Sequence, residues 1–239
     1  MTDRQIQLHD NYMRVLENIE NAKARRGAGP EVTLLAASKM NPASDVVFLA
    51  KNCGLRLCGE NHAQEFNEKY EAVAEAGVAM DFIGHLQTNK VRYVAGRAGL
   101  IHSLDSVKLA AELDRRCGKL GIKQGVLVEL NVGSEESKTG LSPERLSEYM
   151  GLVGEYHNLE VRGLMVMAPK STEKSEIRKY FRESYRIFLD FFDKNTHNIG
   201  EPFSPILSMG MSDSYECAIE EGSTMVRVGS AIFGSRNYI

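Results

Sequence analysis

The sequence predicts an α/β fold, a single (β/α)8 barrel of the TIM type with one extra helix at the N-terminus, spanning residues 1–239 as one domain. Three observations carry this. Eight short apolar runs alternate with helix-patterned segments, and such alternation marks a parallel sheet. The units recur about every 25–30 residues, so eight of them fill 239 residues, close to the ~250 typical of a closed barrel. No low-complexity linker or composition break divides the chain. The rival is an open doubly wound sheet, but no glycine-rich nucleotide fingerprint follows the first strand.

The elements follow in order. Residues 3–26 are expected to form the extra helix. Ile6, Tyr12, Met13, Leu16 and Ile19 recur at roughly helical spacing, and Gly27-Ala28-Gly29-Pro30 ends it. The first strand, 32–38, is Val32, Leu34 and Leu35 followed by small residues. A helix begins near Ser44-Asp45, which can cap it. Strand two, 56–58, runs into Gly59-Glu60-Asn61, with a helix over 62–76. Strand three, 80–84, leads through His85 into a helix over 87–95. Strand four, 100–103, precedes a helix over 106–119, and strand five, 125–132, is the clearest of the set. A polar loop, 133–140, leads to a helix opened by Ser142-Pro143-Glu144, a cap with early proline and acid. Strand six is 159–165. The helix after it, 174–194, aligns Tyr180, Phe181, Tyr185, Phe188 and Phe192 as core packing. Strand seven, 206–208, a short helix, 214–220, and strand eight, 225–228, complete the barrel.

Composition narrows the function. A net charge of −3 gives no electrostatic case for nucleic acid. The N-terminus lacks a signal-peptide core, and no apolar run approaches the ~20 residues of a membrane span. Cys53, Cys58, Cys117 and Cys217 form no CxxC pair or zinc spacing, and the six histidines form no ligand cluster. They read as buried or half-buried thiols, no metal is expected, and the expected location is cytoplasmic.

In a parallel barrel the residues just past each strand converge at one mouth. Here they are Lys39, Glu60-Asn61, His85, Ser103, Asn131, Met165 and Met167, Ser208, and Arg227 with Gly229-Ser230. A lysine there aims its amine at a pocket, and desolvation raises the fraction of free amine able to attack a carbonyl. Ser208-Met209-Gly210-Met211-Ser212 and Gly229-Ser230 follow strands seven and eight, where barrels build phosphate sites. Arg227 lies on the same face of its strand as Gly229. One amine and one phosphate cradle, on opposite sides of the mouth, suit a phosphorylated aldehyde held as an imine. Pyridoxal 5′-phosphate is the natural candidate. A Schiff-base aldolase acting on a phosphosugar is the rival from the same features.

Seven segments carry a resemblance. They are Ala37-Ser38-Lys39, Gly59 to Glu65, Phe82 to Lys90, Glu135 to Gly140, Gly163-Leu164-Met165, Leu207 to Asp213 and Val226 to Gly234. Together, in this order, they resemble the pyridoxal phosphate homeostasis protein family, whose members look like the N-terminal barrel of alanine racemase. The match covers about residues 31–236; Ser214 departs from it, where a second acid would follow Asp213. The resemblance implies a fold-type III pyridoxal-phosphate protein with the cofactor as an internal aldimine at Lys39. It implies that Arg227 faces the pyridine nitrogen, that Ser208, Gly229 and Ser230 hold the phosphate, and that Asn61 lines the ring pocket. Guanidinium offers only donors, so it leaves the ring nitrogen unprotonated and the ring a poorer electron sink.

The remaining motifs are read blandly. The 133–139 loop superficially resembles a P-loop but lacks the glycine before its lysine, and Glu135-Glu136 would repel phosphate. His85 has two readings, stacking near the cofactor or a structural hydrogen bond. Met165, Met167, Met209 and Met211 are expected to fill space around the ring. The function expected is a carrier in intracellular vitamin B6 homeostasis, with no catalytic residue assigned. Its expected partners are pyridoxal phosphate and apo-forms of the enzymes that use it, and the chain is expected to be monomeric. An amino-acid racemase is the alternative. Alanine racemase takes a second base, a tyrosine, from a C-terminal β domain of the partner subunit. The sequence ends at Ile239, soon after strand eight, and is expected to lack that group. Two-base racemisation needs an acid–base residue on each face of the carbanion.

Overall fold

The computed structural model describes residues 1–133, 140–168, 173–192 and 204–234. Eight parallel strands close into a barrel in sequence order, which rules out the open doubly wound sheet. The strands are β1 (Thr33–Ala37), β2 (Leu57–Glu60), β3 (Ala79–Phe82), β4 (Leu100–Leu104), β5 (Gln124–Leu130), β6 (Leu159–Val166), β7 (Ile206–Ser208) and β8 (Met225–Val228). The helices are α1 (Asp3–Arg26), α2 (Ala43–Cys53), α3 (Ala63–Glu75), α4 (Val91–Val94), α5 (Val107–Leu120), α6 (Leu146–Val153), α7 (Lys174–Phe192), α8 (Tyr215–Glu220) and α9 (Ser230–Phe233). Strands β7 and β8 have the bounds read from the sequence, and most others move by one or two residues. The expected helix over 87–95 is instead one 3-10 turn, Thr88–Lys90, running into α4.

Helix α1 opens with a capping box. The Thr2 side chain accepts from the Gln5 N–H, and the Gln5 side chain accepts from the Thr2 N–H. Leu8, Tyr12, Val15, Ile19 and Ala22 form its buried stripe, while Ile6 and Met13 face outward. That stripe packs on α2, α8 and α9, across the seam where β8 meets β1. The helix also completes α9. Asn11 Nδ2 donates to the Ile232 carbonyl at 3.0 Å and an Arg4 guanidinium nitrogen to the Phe233 carbonyl at 2.8 Å. These are carbonyls that a helix end leaves without an internal partner. Arg4 also bonds Asp45 at 2.7 Å. Pro42, rather than Ser44 or Asp45, occupies the N-cap of α2, so the expected capping residues sit inside its first turn.

Two layers of apolar contact hold the fold. Outward-facing strand residues such as Cys58, Ile101, Val126, Leu164 and Val226 pack beneath the helices. On α7, Phe181, Phe188 and Phe192 join that layer as expected, with Tyr185 half-buried against it. The barrel interior holds a second, small cluster: Leu35, Ala37, Ile83 and Met225, with Leu57, Leu100 and Ile206 against it. Cys58 and Cys117 are buried and Cys53 and Cys217 half-buried, all as free thiols. Among the described residues no helix is long and apolar enough to cross a membrane.

Strands β6 and β7 approach so closely at Gly163 that a Cβ there would lie 1.9 Å from the Ile206 carbonyl oxygen. Gly163→Ala must therefore push the two strands apart. We expect a loss of about 3 kcal/mol, read as a lower urea midpoint with little change in slope.

Candidate functional site

Lys39 follows β1 by two residues and shares the inward parity of Leu35 and Ala37. It is half-buried. Closure pairs β1 with β8, with Ala36 opposite Val228. A Cβ on Gly229 would lie 3.1 Å from the Ala37 carbonyl oxygen, so these two strand ends touch. The amine and the Gly229-Ser230 turn are therefore neighbours on adjacent strands. This corrects the expectation of opposite sides of the mouth. Sequence order separates β1 from β8 as far as possible, and closure brings them together.

The Gly229-Ser230 turn is tied to the loop after β7. Ser212 Oγ accepts from the Gly229 N–H at 3.1 Å and the Ala231 N–H at 3.3 Å. Of the hydroxyls in the 208–212 cluster, Ser212 is the one that reaches this turn. Ser208 is used elsewhere. Its Oγ accepts from an Arg227 guanidinium nitrogen at 2.8 Å and lies 3.3 Å from His102 Nδ1.

Arg227 is buried inside the barrel. One terminal nitrogen donates to both the carbonyl and the hydroxyl of Ser208, and the other to the Val166 carbonyl at 3.1 Å. Burial pushes its pKa down to about 10, with the Glu129 carboxylate opposing that fall, so it stays charged at neutral pH. The chain of contacts continues to His102 Nε2, which lies 3.1 Å from Asp81 Oδ2. Its directions are forced. The Asp81 carboxylate only accepts, so a neutral His102 carries its proton on Nε2; its Nδ1 then accepts from the Ser208 hydroxyl, whose oxygen accepts from Arg227. Asp81 Oδ1 also accepts from the Leu100 N–H at 2.8 Å. Burial lowers the His102 pKa below its ordinary value, and Asp81 opposes that shift.

Asn61 sits just past β2, against Gly84: a Cβ on Gly84 would be 2.1 Å from the Asn61 carbonyl oxygen. Its Oδ1 is buried and hydrogen-bonds to nothing among the described residues, an orphan acceptor of the kind that marks a ligand position. His85 is at the rim, 3.3 Å from Asp105 and 51% exposed in its side chain, which favours the structural reading. Four other residues expected at the mouth are not where the sequence reading put them. Glu60 and Ser103 lie within β2 and β4, with parity opposite to Asn61 and His102, and both are fully buried. Met209 packs in the outer apolar layer, and Met211 is exposed. The polar loop's residues 134–139 lie outside the described residues.

The sequence reading missed Asp81 and His102 as members of the site, and within the 208–212 cluster it singled out Ser208 where Ser212 meets the turn. A histidine between Ile101 and Ser103 has the alternation of an inward strand position, and that was the available signal. Among the described residues no group of three or more His, Cys, Asp or Glu side chains is placed to hold a metal.

The fold and site together define a closed parallel barrel with one amine at the mouth of β1, a buried guanidinium on β8 and a backbone turn beside them. The profile described as "Alanine racemase, N-terminal domain" matches residues 11–237. The pyridoxal phosphate homeostasis protein of Aquifex aeolicus is 46% identical over 230 residues, 96% of this chain and 98% of that one. The chain belongs to the pyridoxal phosphate homeostasis protein family. Among solved structures, PipY of Synechococcus elongatus with pyridoxal phosphate bound has a TM-score of 0.76 at 30% identity, covering 91% of this chain and all (100%) of that one. An alanine racemase of Clostridium difficile has a TM-score of 0.71 at 17% identity, covering 95% of this chain and 57% of that one, and shares the fold.

The forced direction of the Arg227–Ser208–His102–Asp81 chain predicts one tautomer. Nitrogen-15 NMR of the protein should find the His102 proton on Nε2, with a titration midpoint below the ordinary 6.5. The unfolded chain binds that proton more readily than the folded one. Stability therefore falls as pH drops below 6.5, by up to ~1.4 kcal/mol per unit from this residue.

Proposed function

We propose that this protein binds pyridoxal 5′-phosphate covalently through Lys39 and serves as a carrier in vitamin B6 homeostasis. One observation carries the reading: Lys39 and the Gly229-Ser230 turn lie on adjacent strands, with Arg227 deeper on the same strand as the turn. The cofactor bears its aldehyde and its phosphate arm on neighbouring ring carbons, and its ring nitrogen on the far side of the ring. That order suits an amine, a backbone turn and a buried guanidinium so arranged. When bound, the cofactor supplies an electrophilic aldehyde and an electron-withdrawing ring.

The protein's residues divide the work. The Lys39 amine would hold the cofactor at its aldehyde carbon. Gly229 and Ser230 hold the phosphate, with the Ser212 hydroxyl beside them. Ser208 acts on the other side, fixing the guanidinium of Arg227. Arg227 can offer the ring nitrogen only a donor and so withholds a proton from it. Asn61, just past β2, offers Oδ1 as a buried acceptor without a hydrogen-bond partner among the described residues. The names of the relatives and the cofactor-bound PipY structure support this reading.

The carrier reading entails weak catalysis. A donor-only partner at the ring nitrogen disfavours the carbanion that racemisation needs. Apo-forms of enzymes that use the cofactor are the proposed recipients, and a monomer in the cytoplasm is the proposed working form.

Purified protein should be yellow, and borohydride should fix the cofactor to a peptide containing Lys39. Lys39→Ala should lose all covalent labelling while keeping weaker, non-covalent binding through the turn. Protein that stays colourless and unlabelled in excess pyridoxal phosphate defeats the proposal. An aldolase would instead be trapped on a phosphosugar.

The racemase alternative has its own assay. Loaded protein incubated with L-alanine in deuterated water should incorporate deuterium at the α-carbon no faster than free cofactor does. Rapid incorporation with D-alanine as product would make the protein a racemase.

A further inference from the structure

We propose that Glu65 and Lys69 of α3 are positioning residues for Lys39, acting through the backbone on both sides of it; the consequence for cofactor capture rests on the function proposed above. The Lys69 ammonium spends three hydrogen bonds on three acceptors: the Ser38 carbonyl at 3.0 Å, Glu60 Oε1 at 2.8 Å and Glu65 Oε1 at 2.6 Å. That uses its full set of donors. Glu60 Oε1 also accepts from Ser38 Oγ at 2.6 Å, and Glu65 Oε1 from the Met40 N–H at 2.6 Å. The residue before Lys39 and the residue after it are thus both held by one ion cluster on the outer face of the barrel.

The clamp is tight where it matters. The side chains of Glu60, Lys69 and Glu65 are 0%, 10% and 20% exposed, so water screens these contacts little. Met40 is the only non-glycine residue with positive φ among those described, at 61°. A long side chain does not choose that region unaided. The Glu65–Met40 bond is a contact that can hold it there. Asn41 adds two bonds from the same turn, its N–H to the Ser38 carbonyl and its side-chain nitrogen to the Lys39 carbonyl, each at 3.0 Å. Lys39 therefore enters the mouth from a backbone whose direction is set by α3.

A cluster that only fastened α3 to the sheet would affect stability and leave Lys39 alone. Glu65→Gln and Glu65→Met separate the two roles. Glutamine keeps a carbonyl oxygen for the Met40 N–H and for Lys69, whereas methionine keeps only the volume. In cofactor-free protein, the Met40 amide should exchange slowly in the parent and in Glu65→Gln, and roughly tenfold faster or more in Glu65→Met. With pyridoxal phosphate, the rate of borohydride-trappable labelling of Lys39 should fall roughly tenfold or more in Glu65→Met and stay within about threefold in Glu65→Gln. Total cofactor bound at saturation should change less than that rate does.

A folded Glu65→Met that labels at the parental rate overturns the proposal, as does Glu65→Gln that is impaired as severely as Glu65→Met. An unprotected Met40 amide in the parent overturns it without either variant. Absence of labelling in the parent counts against the cofactor reading, and the exchange measurement then still decides whether α3 fixes the Lys39 turn.

Discussion

A guanidinium in the middle of a barrel is the constraint on which the rest of this structure depends. Taking Arg227 out of water costs several kcal/mol unless its donors are met and its charge is balanced. The fold meets this from strand to strand around the interior. Ser208 and Val166 accept from it, Glu129 supplies an opposing charge, and the contacts run on through His102 to Asp81. The interior therefore combines an apolar cluster, to which β1, β2, β4, β7 and β8 all contribute, with the buried polar side chains of Asp81, His102, Glu129, Ser208 and Arg227. A partly polar interior stabilises less than an apolar one would. What it provides is a fixed, donor-only cation at the base of the mouth.

Closure of the barrel gives that cation its neighbours. The pairing of β1 with β8 joins the lysine of the first unit to the turn of the last one. The seam is also where the extra helix lies. Side chains of helix α1 donate to the two final carbonyls of α9, the four-residue helix that begins at Ser230. So short a helix cannot satisfy its own ends. The N-terminal helix, outside the eightfold repeat, is in this way part of what holds the Gly229-Ser230 turn in place.

Much of this was legible in the sequence. The eight alternating units, the strand bounds of β7 and β8, Lys39 at a strand end and the shared face of Arg227 and Gly229 all follow from period and position. What was not legible was of two kinds. Pairing between distant strands leaves no local mark, so the adjacency of β1 and β8 required the closed barrel. Strand ends blur by a residue or two, and a one-residue error turns a side chain to the opposite face. That is why Glu60 and Ser103 looked like mouth residues while His102 did not. The orphan Oδ1 of Asn61 and the Ser212 contacts are likewise matters of distance, invisible to pattern.

The same parity rule explains how one strand end serves two chemistries. Ser38 and Lys39 are consecutive, so their side chains leave β1 on opposite faces. Outward, Ser38 meets a lysine and a carboxylate that neutralise one another beneath α3; inward, Lys39 meets the mouth. A charge on either side alone would pull the turn toward its own partners. Here the outer ammonium bonds one oxygen of Glu60 and one of Glu65, while Glu60 Oε2 is buried with no hydrogen-bond partner among the described residues. Burial pushes the Glu60 carboxyl above its ordinary range, and the Lys69 and Ser38 bonds oppose that rise. An ion cluster that contributes little net stability can still be favoured at such a place, because it fixes a direction. The outer lysine is spent on geometry so that the inner one can be spent on chemistry.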